Sequence, residues 1–425
     1  MRKSQYKEIP QTQAAAAGGP SEPPKQSAHD SQDPGPGGKP INLPDPVVVV
    51  DLAAALHRLK DVFGLCAVLL LGFASHAAAQ EMVRMVVFTP ADLSVPADAR
   101  KKLTEVAEAT EKFYFQWMKH WGYPPAVTNL FHREADGQVE LLTVKGDQPA
   151  ASGKYSKPHF SDYVIREATK KYNVPGKYHV WWIFVYLGDR PARFNDFAGA
   201  GNPVGGGWAM VNYDTLPGDY QPEKSLVEGY NGEVFLKGMI HELGHAFGLP
   251  HQGPDPELGL GNTLMGPTTK LYVASKKPLP DQVYLCEASA AMLWKHPVFA
   301  ATNSDQWRKA SLKLLDCKTT YNSTNDSVTL SGKLVSDQHA HSVVVIDEPK
   351  TVRNDYWHQS YAARIAADGT FQVNIRRPAN DGRLRILFCF VNGAVTGDGA
   401  NVRFVDRGDI KKSYHFENGT FQFAD

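Results

Sequence analysis

The chain has 425 residues, of which 42% are hydrophobic and 21% charged, so it can form real cores and is not disordered throughout. Its 45 Lys and Arg residues balance 45 Asp and Glu residues, so there is no overall basic field to hold nucleic acid, and we expect no nucleic-acid partner. Four cysteines exclude a disulfide-dense scaffold, and the length predicts about two or three domains.

Residues 1–56 differ in composition from the rest of the chain. They are rich in Pro and Gly, as in the segment Asp33–Gly38, which reads Asp-Pro-Gly-Pro-Gly-Gly. Such a segment cannot bury enough apolar surface to fold, so we predict a disordered extension.

Residues 57–79 follow the pattern of a secretory signal peptide. Arg58 and Lys60 precede an apolar run, and Ala77 and Ala79 match an A-x-A cleavage site. The run is about 13 residues, shorter than the roughly 20 of a membrane span, so we expect a secreted or periplasmic protein with no stable membrane insertion after cleavage. An uncleaved membrane anchor is the alternative. Because a signal peptide normally begins a chain, we also expect translation to start later, at a non-Met start codon, so that residues 1–46 are not made.

In residues 80–314, β-prone segments alternate with helical segments, and this alternation predicts a mixed α/β layer. The predicted strands and helices are Val83–Phe88, Asp98–Trp121, Val139–Val144, Phe160–Tyr172, His179–Tyr186, Trp208–Tyr213 and Glu233–Phe247. His179–Tyr186 is almost continuously apolar, which indicates a central strand covered on both faces. Trp208–Tyr213 follows a Gly-rich stretch and is predicted to be an edge strand.

Residues 315–425 change to short alternating runs separated by turn signals, which predicts an all-β sandwich and a domain boundary near residue 315. The predicted fold class is therefore mixed α+β, an α/β domain followed by a β-sandwich. Cleavage of the signal would leave Cys286, Cys317 and Cys389. Two of these can pair in an oxidising compartment, and a Cys286–Cys317 bond would close the shorter loop.

From His241 to His251 the sequence reads His-Glu-Leu-Gly-His-Ala-Phe-Gly-Leu-Pro-His. His241 and His245 are four residues apart, so on a helix their imidazoles can converge on one metal ion. A continuous helix would carry His251 about 15 Å along the axis from His241. The helix must therefore end, and Gly248 and Pro250 supply a left-handed terminating residue and a helix breaker.

Three neutral histidine ligands leave an open fourth position for water, which is typical of a catalytic rather than a structural zinc site. We predict one catalytic Zn²⁺ held by His241, His245 and His251. Zinc lowers the pKa of a bound water to about 7. Glu242, next to the first ligand, can accept the proton of this water and pass it to the leaving amine.

This motif, H-E-x-x-H-x-x-G-x-x-H, resembles the zinc signature of the metzincin metalloproteases. The resemblance covers roughly residues 81–300 and implies a matrixin-like or astacin-like catalytic domain, with a twisted mixed sheet, long helices and a zinc helix. It implies that Met265, in the turn Asn262–Pro267, lies beneath the metal ligands. It also implies that an edge strand binds the substrate backbone; its candidate residues are Trp208, Ala209, Met210 and Val211.

Two positions depart from the pattern. Pro267 stands where some metzincins carry a Tyr two residues after the methionine, and Gln252, after the third histidine, matches no subfamily marker. The resemblance therefore extends to the clan and not to a subfamily.

These features predict a secreted zinc endopeptidase that hydrolyses a protein or peptide substrate by Glu242-assisted attack of a zinc-bound water. The alternative is a secreted binding or adhesion protein with a β-sandwich and a non-catalytic metal site. Hydrolysis of a protein substrate that a chelator inhibits would separate the two. Substrate preference, oligomeric state and calcium binding are left open.

Overall fold

The computed structural model of the protein describes residues 82–155, 160–174, 179–188, 197–201, 206–213, 236–275, 282–300, 308, 310–398, 408–417 and 419–424. All of them belong to one compact unit, residues 74–425. The predicted disordered extension and signal peptide, residues 1–56 and 57–79, lie outside the described residues. Within the described ranges, no helix is both long and apolar enough to cross a membrane.

The N-terminal part, residues 82–300, alternates strands and helices as predicted. Its elements in chain order are β1 (Val83–Thr89), α1 (Ala99–His120), β2 (Leu141–Lys145), α2 (Ser161–Tyr172), β3 (Val180–Val185), β4 (Ala198–Gly201), β5 (Gly207–Asn212), α3 (Leu236–Ala246), β6 (Asn262–Thr263), α4 (Thr269–Ala274), β7 (Val283–Tyr284), α5 (Glu287–Leu293) and α6 (Pro297–Ala300).

The main sheet has the strand order β2-β1-β3-β5-β4. The first four strands pair in parallel, and β4 pairs antiparallel with β5. β3 is apolar at every position and buried at every position, which confirms the predicted central strand. A mixed α/β layer is therefore present.

Helices cover both faces of this sheet. On one face Trp182 shares a core with Leu103 of α1 and Leu243 of α3. On the other face Trp181 shares a core with Val164 of α2. Because successive strand residues point to opposite faces, the adjacent tryptophans anchor two different layers of the fold.

The C-terminal part, residues 310–424, is built of strands. They are β8 (Leu312–Asn322), β9 (Ser327–Ser336), β10 (Ala340–Pro349), β11 (Gln359–Arg364), β12 (Thr370–Arg376), β13 (Asp381–Phe390), β14 (Val395–Thr396), β15 (Ile410–Glu417) and β16 (Thr420–Phe423). They form a three-stranded sheet, β12-β9-β8, and a six-stranded sheet, β11-β10-β13-β15-β16 with β14 beside β13. The C-terminal part is therefore all-β, and its first strand begins at Leu312, slightly before the predicted boundary at residue 315.

The two parts share one core. Along β10, Val343 and Val345 lie in the core between the two β-sheets, whereas Val344 and Ile346 belong to the core of the N-terminal part. The strand is buried on both faces because each face packs against a different layer. The C-terminal part therefore packs directly on the N-terminal part.

Cys286, Cys317 and Cys389 form no disulfide bond in the described structure. Cys286 and Cys389 are buried in the core shared by the two parts, and Cys317 packs against the other core, between the β-sheets. The Cys286 thiol instead donates to Oε1 of Gln252 at 3.2 Å.

Candidate metal centre

Helix α3 carries the first two predicted ligands. Its apolar stripe, which includes Met239, Ile240 and Leu243, is fully buried in the core. His241 and His245 are 5% and 6% exposed, so they are held almost completely inside the protein. The helix therefore fixes these two imidazoles by packing its opposite side.

The end of α3 has the predicted left-handed glycine. Gly248 has φ +84°. Its N–H donates to the carbonyl of His245 at 2.8 Å, and the N–H of Leu249 donates to the carbonyl of Gly244 at 2.9 Å. This pair of bonds is the Schellman motif, and Pro250 follows it. The chain thus turns back toward the helix and brings the third histidine to the first two.

Each of the three imidazoles has a partner for its Nδ1 atom. Nδ1 of His241 contacts the carbonyl oxygen of Leu264, and Nδ1 of His245 contacts the carbonyl oxygen of Leu249, both at 2.8 Å. Nδ1 of His251 contacts Oδ2 of Asp355, also at 2.8 Å. A carbonyl or carboxylate oxygen only accepts, so each Nδ1 donates, and each Nε2 is left with its lone pair.

The Nε2 atoms of His245 and His251 are 3.1 Å apart. Ideal tetrahedral geometry with Zn–N bonds of ~2.0–2.1 Å would place two such nitrogens about 3.3 Å apart. One ligand atom from each of the three histidines lies within 4.8 Å of the others. These residues fit a three-histidine zinc site and could bind a metal ion.

The two buried histidines, His241 and His245, are held in the neutral form that binds metal. Burial lowers the pKa of His245 to about 4, with the neighbouring His251 acting in the same direction. Burial and the other two histidines hold the pKa of His241 well below its usual value. Because a metal ligand must be neutral imidazole, the buried pair needs no deprotonation at neutral pH.

Glu242 follows the first ligand on α3, and edge strand β4 runs directly over it. A methyl group at Gly199 would overlap the carbonyl oxygen of Glu242. The negative charge of Glu242 helps to raise the pKa of Tyr356, after the larger effect of burial. The same charge raises the pKa of Lys237, against the larger effect of burial, which lowers this pKa. The carboxylate of Glu242 is thus close enough to influence the groups around the three imidazoles.

Met265 lies beneath α3. It is 1% exposed, and a Cβ at Gly244 would come within 2.5 Å of its sulfur. The absence of a side chain at Gly244 therefore creates the space that Met265 fills. The short parallel pair β6–β7 holds this turn, with the Leu264 N–H donating to the carbonyl of Tyr284 at 2.7 Å.

A buried lysine joins the helix to the same turn, and we did not predict it. Nζ of Lys237 donates to the carbonyls of Gly266 at 3.0 Å and Pro267 at 2.8 Å. Lys237 is 4% exposed, and burial lowers its pKa to about 7. The available signal was a lysine four residues before His241, on the same face of the helix as the two histidines.

The predicted edge strand is wrong. Trp208, Ala209, Met210 and Val211 lie in β5, which pairs with β3 on one side and with β4 on the other. In the described sheet, the edge is β4, Ala198–Gly201. This strand lacks β-branched and aromatic residues, so propensity gives no sign of it. Glycine is favoured there because the strand approaches the helix backbone closely.

Two further residues at the centre come from the C-terminal part. Asp355 contacts the third histidine, as described above. The ring of Tyr356 lies 3.9 Å from the ring of His251 and 5.8 Å from that of His241, centroid to centroid. Both residues are more than 100 positions from the motif, and their sequence context carries no signal for this role.

The fold recurs in solved structures. Wild type OgpA from Akkermansia muciniphila has a TM-score of 0.59 and 21% identity, covering 82% of this chain and 96% of that chain. Catalytic inactive OgpA from the same organism, in complex with an O-glycopeptide (glycodrosocin) substrate, has a TM-score of 0.60 and 20% identity, covering 81% and 96%. This coverage spans both parts of the chain, and at this identity it shows the fold alone. No protein-family model and no curated protein matches the chain.

Proposed function

We propose that the protein is a zinc-dependent endopeptidase. The observation that carries the proposal is the convergence of three histidines, which bring one ring nitrogen each to within 4.8 Å of the others, while the Nδ1 of each imidazole is hydrogen-bonded. A zinc ion bound there would lower the pKa of a water molecule and polarise the scissile carbonyl. We also propose that the protein belongs to the metzincin clan of metalloproteases, and the motif from His241 to His251 and the turn around Met265 support this.

Metal binding, proton transfer and substrate binding are assigned to different residues of the chain. His241, His245 and His251 would hold the metal. Glu242 accepts the proton of the attacking water and delivers it to the leaving amine. Within the described sheet β4 has a strand neighbour on one side, so its other side is suited to pair with an extended peptide. Such pairing would bring the scissile bond past Glu242.

We further propose that the substrate is an O-glycosylated polypeptide. Support comes from the solved complex of OgpA with an O-glycopeptide substrate, because the fold common to the two chains includes both parts of this one. A peptide without glycan is the natural comparison. If both are cleaved equally well, the preference for glycan is refuted and the peptidase proposal stands.

Replacing Glu242 tests the reaction most simply. Glu242→Gln keeps the size of the side chain but cannot accept a proton, so hydrolysis of the O-glycopeptide should fall about 10²–10⁴-fold. Zinc content should stay at about one ion per chain, because Glu242 is not a ligand. Glu108→Gln, at an exposed position on α1, is the matched control and should leave the rate unchanged. An undiminished rate for Glu242→Gln would refute the mechanism.

The sequence pattern of residues 57–79 also supports a proposal about export. We propose that residues 57–79 direct the protein out of the cytoplasm and are removed. N-terminal sequencing of protein recovered from the medium or periplasm should begin at residue 80, and an intact segment 57–79 would contradict cleavage.

A further inference from the structure

We infer that Asp355, in the C-terminal part, is a positioning residue for His251, so that the metal centre is assembled from both parts of the chain. The inference rests on the proposed metal-dependent function. It assigns a task to the C-terminal part that neither the motif nor the sheet topology requires.

The three histidines differ in what holds them. His241 and His245 lie on α3 and donate to backbone carbonyls of the N-terminal part, Leu264 and Leu249. His251 lies beyond the helix end on a non-helical segment, and its side chain is 21% exposed. Its Nδ1 contacts Asp355. Only the third ligand is therefore oriented by the other part of the chain.

A carboxylate at this place has a specific effect on a ligand. By accepting from Nδ1 it fixes the tautomer, holds the ring plane and makes Nε2 a better donor to the metal. The ring of Tyr356 lies over the same imidazole at 3.9 Å with an interplanar angle of 35°, which limits rotation from the side. The imidazole of His251 is thus held at its ring edge by Asp355 and at its ring face by Tyr356.

The turn that carries Asp355 is rigidly built. Asp355–Trp357 is a single 3₁₀ turn, and the Asn354 side chain accepts from the backbone N–H of Tyr356 at 3.0 Å. The N–H of Trp357 donates to the carbonyl of Asn354, and that of His358 to the carbonyl of Asp355, both at 3.1 Å. The carboxylate therefore projects from a fixed backbone.

The same turn is clamped to the segment that follows His251. The N–H of Gly253 donates to the carbonyl of His358 at 2.5 Å. A Cβ at Gly253 would lie 2.6 Å from the backbone carbon of Trp357, so only glycine allows this approach. The ligand segment and the Asp355 turn consequently move as one piece.

Charge pairs hold the next residues of the segment. Asp255 pairs with Arg376 at the end of β12. Glu257 pairs with Arg376 at 3.4 Å and with Arg377 at 2.8 Å. These acidic groups are thus partners of arginines in the C-terminal part. Gly253, Asp255 and Glu257 thus all contact the C-terminal part.

An exposed pair can also be without consequence. The Asp355 side chain is 61% exposed, and many surface ion pairs contribute nothing measurable to folding. The two interpretations differ in what they predict for metal affinity. Outer contacts to a ligand typically change it 10–100-fold, whereas an incidental surface pair leaves it unchanged.

Zinc affinity of the full-length chain, measured by competition with a chelating dye, tests the inference. Asp355→Ala should weaken zinc binding about 10–100-fold. Asp355→Asn should weaken it less, because the amide oxygen still accepts from Nδ1. Asp368→Asn changes an exposed carboxylate in the turn after β11, which contacts Thr370 and not the histidines, and should bind zinc like the wild type.

Thermal unfolding of the metal-free variants and hydrolysis by the wild type complete the design. Metal-free Asp355→Ala should unfold at the wild-type temperature, so that a lost affinity is not lost folding. If Asp355→Ala binds zinc with an affinity within twofold of the wild type, the inference is overturned, even if the wild type cleaves the O-glycopeptide. A wild type that binds zinc but cleaves nothing refutes the proposed function and leaves the inference standing. A wild type that binds no zinc refutes both.

Discussion

The side chains around the three imidazoles are fixed by partners of different kinds, and this decides how each responds to substitution. His241 depends on the turn that contains Met265, because its Nδ1 donates to the carbonyl of Leu264. Lys237 ties that turn to the helix through two carbonyls. A change at Lys237 should therefore act first on folding and through it on the metal centre.

Lys237→Met keeps the aliphatic length and removes the amine. The buried carbonyl of Gly266 would lose the Lys237 donor, and that of Pro267 would keep Asn262 Nδ2 at 2.9 Å, so the free energy of unfolding should fall by about 1–3 kcal/mol. Denaturant unfolding would measure it. Lys112→Met, at an exposed position on α1, is the control and should stay within about 0.5 kcal/mol of the wild type.

The pH dependence of this variant has a definite sign. Burial lowers the pKa of Lys237 to about 7, against about 10.4 in an unfolded chain. Between these values the unfolded chain binds a proton that the folded chain does not, so the contribution of this group to stability rises with pH. The destabilisation of the Met variant should be larger at pH 9 than at pH 7. A Met variant as stable as the wild type at both pH values would contradict the role of Lys237.

At the scale of elements, the edge strand and the metal helix are matched in shape. β4 carries Gly199 and Gly201, and both lie against the backbone of α3 or its terminating turn. The strand can lie this close because neither position has a side chain. Any atom added there must push β4 away from Glu242.

Gly199→Ala tests this fit. The added methyl would overlap the carbonyl oxygen of Glu242 and come within 3.0 Å of Cβ of His245. We expect a loss of about 1–3 kcal/mol in the free energy of unfolding. Hydrolysis of the O-glycopeptide should fall about 10–100-fold because the reacting groups shift.

Ala200→Gly is the control for Gly199→Ala, since it removes a methyl group from the same strand. Its cost should be about 0.5–1 kcal/mol, with a smaller effect on the rate of hydrolysis. Equal effects of the two variants on hydrolysis would argue against the close contact.

The sequence was informative where the determinants are local. Residue spacing predicts α3, the converging His241 and His245, and the left-handed end at Gly248, because each depends on neighbours within one or two turns. The edge strand was missed because its glycines serve a contact with the helix and not strand propensity. Asp355 was missed because a contact across 104 positions leaves no local pattern.

At the scale of the whole molecule, the two parts form one structural unit around the candidate centre. Val344 and Ile346 of β10 complete the core of the N-terminal part. Arg364 lies 3.8 Å from the ring centroid of Tyr123 and 4.3 Å from that of Trp294, so a cation is held between two aromatic rings where the parts meet. A role of the C-terminal part as a mere spacer does not fit this packing.

Metal removal and return tests the central claim, that three histidines hold a catalytic zinc ion. Full-length protein would be freed of metal with a chelator, and hydrolysis of the O-glycopeptide would be followed as zinc is added in small steps. We predict no hydrolysis without metal and a rate that rises in proportion to zinc until about one ion per chain is bound. Metal-free protein that hydrolyses the substrate at the full rate would contradict the account.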